Sequence, residues 1–196
     1  MWVLSAQIAA AWMLFAVAAP RQRDVPRETL IKGEYTNAKY LYRVKIPPGI
    51  SAVRSAAPAP NHGFGIVPSQ SRPDKMWVTG EYDAAFAGCT QAAALQQADG
   101  LRDECHLAIL SNEPSKLSTL DAREIVMRGN NGPGKVSFAR FRVAYRPLPR
   151  GSVGIVYSLG LLAESEKGAT GLTEIFERIA NSFRLESLAG GTRSRP

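Results

Sequence analysis

Apolar and polar residues alternate along much of this chain, and where the two-residue period breaks a helical period replaces it. The clearest case is Val153–Leu162. Val153, Ile155, Tyr157, Leu159 and Leu161 share one face, and Gly154, Val156, Ser158, Gly160 and Leu162 share the other. Neither face is charged, so the pattern predicts a central strand buried on both sides, with Gly154 and Gly160 admitting a close backbone. Leu172, Ile175, Phe176, Ile179, Ala180 and Phe183 then recur at helical spacing and predict an amphipathic helix. Burying its five large side chains contributes about 10 kcal/mol as an upper estimate.

Upstream, Tyr40–Ile46 alternates as a half-buried strand, closed by Pro47-Pro48-Gly49, and a short strand follows at Ile50–Arg54. Phe64–Val67 and Met76–Tyr82 read as a hairpin. Thr90–Asp99 is rich in Ala, Leu and Gln and predicts a helix, with Thr90 as N-cap and Gly100 as the stop. A strand is expected at His106–Leu110 and a turn at Glu113–Ser115. Arg123–Arg128 and Lys135–Arg146 are strands joined by GNNGPG, whose Asn131-Gly132 is a hairpin signal. Ala139, Phe141, Val143 and Tyr145 face inward, opposite Arg140, Arg142 and Arg146. Phe138 falls on the arginine side, which suggests a bulge.

Strands, one helix, more strands and a final helix make an α+β fold with a largely antiparallel sheet. The local patterns YTNAKYLYRVKIPPGI, PNHGFGI, WVTGEYDA, VYSLGLL and IFERIANSFR resemble the PsbP-like group, over Tyr35–Arg184. That group shares its fold with a yeast Ran-binding protein. The resemblance implies an antiparallel sheet sandwiched by helices and a docking, assembly or accessory role. Some domains of this fold look like immunity proteins against secreted toxins. Fold alone does not choose among such roles.

Composition adds a compartment. Residues 1–19, MWVLSAQIAAAWMLFAVAA, contain no charge and end in Ala16-Val17-Ala18, which resembles a secretory signal peptide. Arg21 and Arg23 follow the apolar run and none precedes it, so a membrane anchor formed by residues 2–19 stays open. The expected organisation is leader 1–19, polar tether 20–34, one domain at 35–186 and a flexible tail at 187–196, in a periplasmic or secreted protein. Export would let Cys89 and Cys105 pair, closing a loop of about 15 residues; two free thiols are the alternative. The formal charge of +7 favours an anionic partner without requiring one, and no nucleic acid is expected.

Candidate chemistry is sparse. Gly129–Lys135 approaches a phosphate-binding loop, but Val136 stands where Ser or Thr is needed and a strand follows. His62, beside Asn61 in a proline-rich loop, is free to act as base or ligand. His106 adjoins Cys105, yet neighbours on a strand point to opposite faces, which excludes a dyad. No spacing of Cys and His fits zinc, and no G-x-S-x-G is present. Glu81 with Asp83, and Glu164 with Glu166, read as solvating carboxylates. The remaining binding candidates are His62, Asn61 and the row Arg140, Arg142 and Arg146. No cofactor or metal is expected. The expectation is a non-enzymatic envelope domain that binds a protein or envelope component, with an immunity protein or a hydrolase using His62 as alternatives.

Overall fold

The structure, a computed structural model, describes residues 30–54, 62–66, 74–85, 87–149 and 153–187. The leader, Asn61 and all but the first residue of the tail lie outside the described residues. Eleven strands and two helices are described. They are β1 (Leu30–Ile31), β2 (Glu34–Asn37), β3 (Tyr42–Lys45), β4 (Ala52–Arg54), β5 (Gly63–Ile66), β6 (Lys75–Tyr82), α1 (Thr90–Cys105), β7 (Ala108–Leu117), β8 (Leu120–Arg128), β9 (Phe138–Arg146), β10 (Ile155–Ala163), α2 (Glu166–Ser182) and β11 (Arg184–Leu185).

Eight strands form one antiparallel sheet in the order β1-β4-β5-β6-β10-β9-β8-β7, and β11-β3-β2 form a second, three-stranded sheet. The charge-free strand β10 lies in the interior of the large sheet, between β6 and β9. One face of β10, from Ile155 to Ala163, packs on α2 and the small sheet. The other, with Leu162 and Val156, joins the core beneath α1. Both period-two faces are therefore buried, which is why neither carries charge. The architecture is the expected α+β sandwich.

α2 buries Ala169, Leu172, Phe176, Ile179 and Ala180, close to the predicted stripe. Ser165 caps it, accepting the Gly168 backbone N–H at 3.1 Å. α1 buries only Ala93, Ala94 and Ala98, so it lies close over β8 and β9 with small side chains.

Several boundaries differ from expectation. α1 runs through Gly100 to Cys105 and stops at His106, a left-handed residue with φ 53°. Its N-cap is Cys89, not Thr90. β7 passes through Pro114 with no turn at Glu113–Ser115, because an edge strand needs only one side of its backbone paired. The stretch before Tyr35, expected as tether, holds β1 and the start of β2. β9 has no bulge: it pairs in unbroken register with β8 and β10, and Phe138 faces the α2 side with the arginines. The irregularity is in β7, between Ile109 and Ser111. What approaches Gly160 and Gly154 is a ring in each case. Trp77 lies over Gly160 and Tyr145 over Gly154, so a Cβ at either would collide with an aromatic side chain.

Candidate functional site

The arginine row is not an open binding face. α2 covers that side of the sheet, and Arg140 and Arg142 are only 16% and 12% exposed. Glu124 on β8 and Glu177 on α2 neutralise them. Arg140 Nε donates to Glu124 Oε1 at 2.9 Å and Arg142 Nε to Glu124 Oε2 at 2.6 Å. Arg140 Nη2 donates to Glu177 Oε1 at 2.5 Å, and Arg142 Nη2 to both Glu177 oxygens at 2.9 and 3.0 Å. Both guanidiniums also lie over the Phe176 ring, at 4.6 and 5.3 Å from its centroid. Two cations and two carboxylates cancel, so the quartet fastens α2 to the sheet and offers an anion no net charge. Arg146 donates to the Glu186 backbone oxygen at 3.0 Å. The hairpin register contained the signal for half of this: a turn centred on Pro133 places Glu124 opposite Arg142.

His62 sits in a second constellation, at the far end of β3. Two glycines make room for it. A Cβ on Gly63 would strike the Val78 carbonyl, and one on Gly80 would come within 2.9 Å of Tyr42 Cε1. The backbone at His62 can therefore close on β6: its carbonyl accepts Gly80 N–H and Tyr42 Oη–H, each at 2.8 Å. Its ring then lies 5.1 Å from Tyr40, with Nε2 sharing a 3.2 Å hydrogen bond with Tyr40 Oη. Nδ1 is 3.7 Å from Glu81 Oε2, beyond hydrogen-bond range but close enough to pair with a protonated ring. Tyr82 stacks edge-on to Tyr40 at 5.3 Å, and Lys39 Nζ lies 4.9 Å from the Tyr40 centroid. Tyr82 is 44% exposed, which leaves a large amphipathic ring in solvent. Next to it, Glu81, Tyr82, Ala93, Gln96, Gln97 and Val156 line an open cleft of about 410 Å³ between β6 and α1. This patch offers aromatic faces, two amides, a cation and a carboxylate, a set suited to recognition.

Beneath it, Tyr42 and Tyr157 are fully buried, and burial holds both phenols above their ordinary pKa; Arg146 opposes the shift at Tyr157.

The other candidates are structural. Asp83 is buried and accepts the Ala87 and Gly88 backbone N–H groups, each at 2.8 Å, so it shapes the turn before α1 rather than lining a strand face with Glu81. Glu164 accepts the Gly134 N–H at 2.8 Å, and Glu166 pairs with Arg128. The near match to a phosphate loop is thus a hairpin turn closed by a carboxylate from the chain itself. The expected Cys89–Cys105 disulfide is absent, and both thiols are free. They flank the 16-residue helix α1 at opposite ends. At 1.5 Å per residue their Cα atoms are about 24 Å apart, far beyond the reach of about 7 Å for a disulfide. His106 caps that helix in the left-handed region. Among the described residues no three His, Cys, Asp or Glu side chains converge to hold a metal, and no helix is long and apolar enough to cross a membrane.

No family model matches the chain, and no curated protein matches it in sequence. Solved structures do. The cyanobacterial PsbP protein of Synechocystis sp. PCC 6803 aligns with 14% identity over 81% of this chain and 93% of its own, at a TM-score of 0.54. LpqN of Mycobacterium tuberculosis, described as involved in cell envelope biogenesis, aligns with 12% identity over 81% of this chain and 92% of its own, at a TM-score of 0.56. This chain has the PsbP-like fold that its sequence patterns suggested.

Proposed function

We propose that this protein is an exported, non-enzymatic domain of the cell envelope, and that it acts by binding a protein or envelope component. The observation that carries this reading is the fold shared with LpqN, a protein involved in cell envelope biogenesis, over 81% of this chain and 92% of that one. The uncharged leader at residues 1–19 supports export. The contact surface of this proposal is the patch of Lys39, Tyr40, His62, Glu81 and Tyr82 with its cleft. Capture from an envelope extract tests it. Wild type should retain a partner that Tyr82→Ala and His62→Ala release, with their melting temperatures unchanged. A partner kept equally by both variants, or no reproducible partner, would refute the proposed surface.

A second reading, a hydrolase using His62 as base, draws on the 3.2 Å contact between its ring and Tyr40 Oη. It predicts an esterase or phosphoesterase activity that His62→Ala abolishes. A broad substrate screen with no turnover would dismiss it.

A further inference from the structure

A separate groove lies at the opposite end of β3 from His62. Two adjoining cavities of about 510 and 580 Å³ share Glu34, Lys45, Arg178 and Ser182, so they form one trough. The two halves differ in chemistry. Ile46, Pro47 and Pro48 give the first half mostly apolar walls. Arg43 and Arg184 join Lys45 and Arg178 around the second.

Among the described residues, those four cations face a single carboxylate within the trough, Glu34. Flanking carboxylates hold two of them loosely. Arg43 Nε is 3.3 Å from Glu186 and Arg178 Nη1 is 3.6 Å from Glu174, with both arginines half exposed. Exposed pairs of this kind exchange readily with another anion. Arg184 spends Nη1 on the Asn181 and Phe183 carbonyls, each at 2.7 Å. Lys45 Nζ has no partner among the described residues. Ser182 Oγ accepts the Lys45 backbone N–H at 3.1 Å and ties α2 to β3.

A basic half continuous with an apolar half complements a molecule with an anionic head and a hydrocarbon chain. We propose that this trough binds a single-chain, phosphate-headed lipid. The phosphate sits among Arg43, Lys45, Arg178 and Arg184. The chain lies along Ile46, Pro47 and Pro48, covered also by the methylene stems of Lys45 and Arg178. The site is independent of the aromatic patch, and neither proposal needs the other.

Calorimetry on the full-length chain tests it, with dodecyl phosphate below its micelle concentration as the probe. Saturable one-to-one binding is expected. Lys45→Glu with Arg178→Glu should weaken it by about tenfold or more. Lys45→Gln alone should weaken it less, and serves if the double variant loses its circular dichroism spectrum. Butyl phosphate and inorganic phosphate should bind more weakly because they leave the apolar half empty, and dodecyl maltoside more weakly because it lacks the charge. The proposal is overturned by absent binding, by equal binding of dodecyl maltoside or of inorganic phosphate, or by variants that bind dodecyl phosphate as wild type does.

Discussion

Removing one carboxylate from the quartet on the α2 face should leave a guanidinium without its partner in a partly dry site. Glu124 is 20% exposed and Glu177 is 35% exposed. Breaking one partner of a fully buried pair costs about 3–5 kcal/mol, and an exposed pair contributes less than about 1 kcal/mol. Glu124→Ala falls between these limits, nearer the first, so we expect a loss of about 2–3 kcal/mol. Glu177→Ala touches a group more than a third exposed; discounted for solvent screening, its loss is about 1 kcal/mol. For a chain of this size each kcal/mol lowers the melting temperature by about 2–4 °C. The double variant should deviate from additivity, since both carboxylates serve the same two arginines. Urea unfolding followed by circular dichroism, at low and high salt, measures all three. Losses under about 0.5 kcal/mol for both single variants, or losses that vanish at high salt, would refute the lock and return Arg140 and Arg142 to solvent as available anion ligands.

Glycine positions separate in the same assay. Gly100 lies inside α1, and a Cβ there meets nothing within 4 Å, so Gly100→Ala should stabilise by about 0.5–1 kcal/mol; Gly160→Ala, beneath the Trp77 ring, should cost about 2 kcal/mol. Ser158 Oγ is buried with no hydrogen-bond partner among the described residues, so Ser158→Ala should raise stability by about 1 kcal/mol, and a fall in its denaturation midpoint would reveal a partner. Tyr42 and Tyr157 have folded-state pKa values above the unfolded value of about 10, so their contribution is whole below pH 10 and is lost as pH rises beyond it. In phenolate absorbance titrations of the folded protein, compared with Tyr42→Phe and Tyr157→Phe, both phenols should ionise above the range of free tyrosine; either one ionising with free tyrosine would contradict this.

Local pattern reached most of the fold because burial writes itself into period. The two faces of β10 and most of the stripe of α2 match the structure, since both sides of the sheet are covered; Ala169 joins the buried stripe, Ile175 is only partly buried, and Phe183 lies at the C-cap just past the helix. Pattern failed where a tertiary partner decides. Gly100 reads as a helix stop, yet an exposed glycine can continue a helix when nothing breaks the backbone ladder. Cys89 and Cys105 sit at a spacing that suits a disulfide, and a helix filling the interval makes that spacing useless. The arginine row looks solvent-facing in alternation because α2 brings Glu177 from 35 residues away. The His62 patch is assembled by three separate segments, at Lys39–Tyr40, at His62 and at Glu81–Tyr82, and only the glycines at Gly63 and Gly80 hint at the close approach.

The proposed role stands or falls at the aromatic patch. A photo-reactive benzoylphenylalanine in place of Tyr82, activated in living cells, measures contact there directly. One discrete adduct is expected from position 82, reduced by His62→Ala, and none from the exposed control position Arg102 on α1. No adduct at position 82, or the same adduct from both positions, would contradict it.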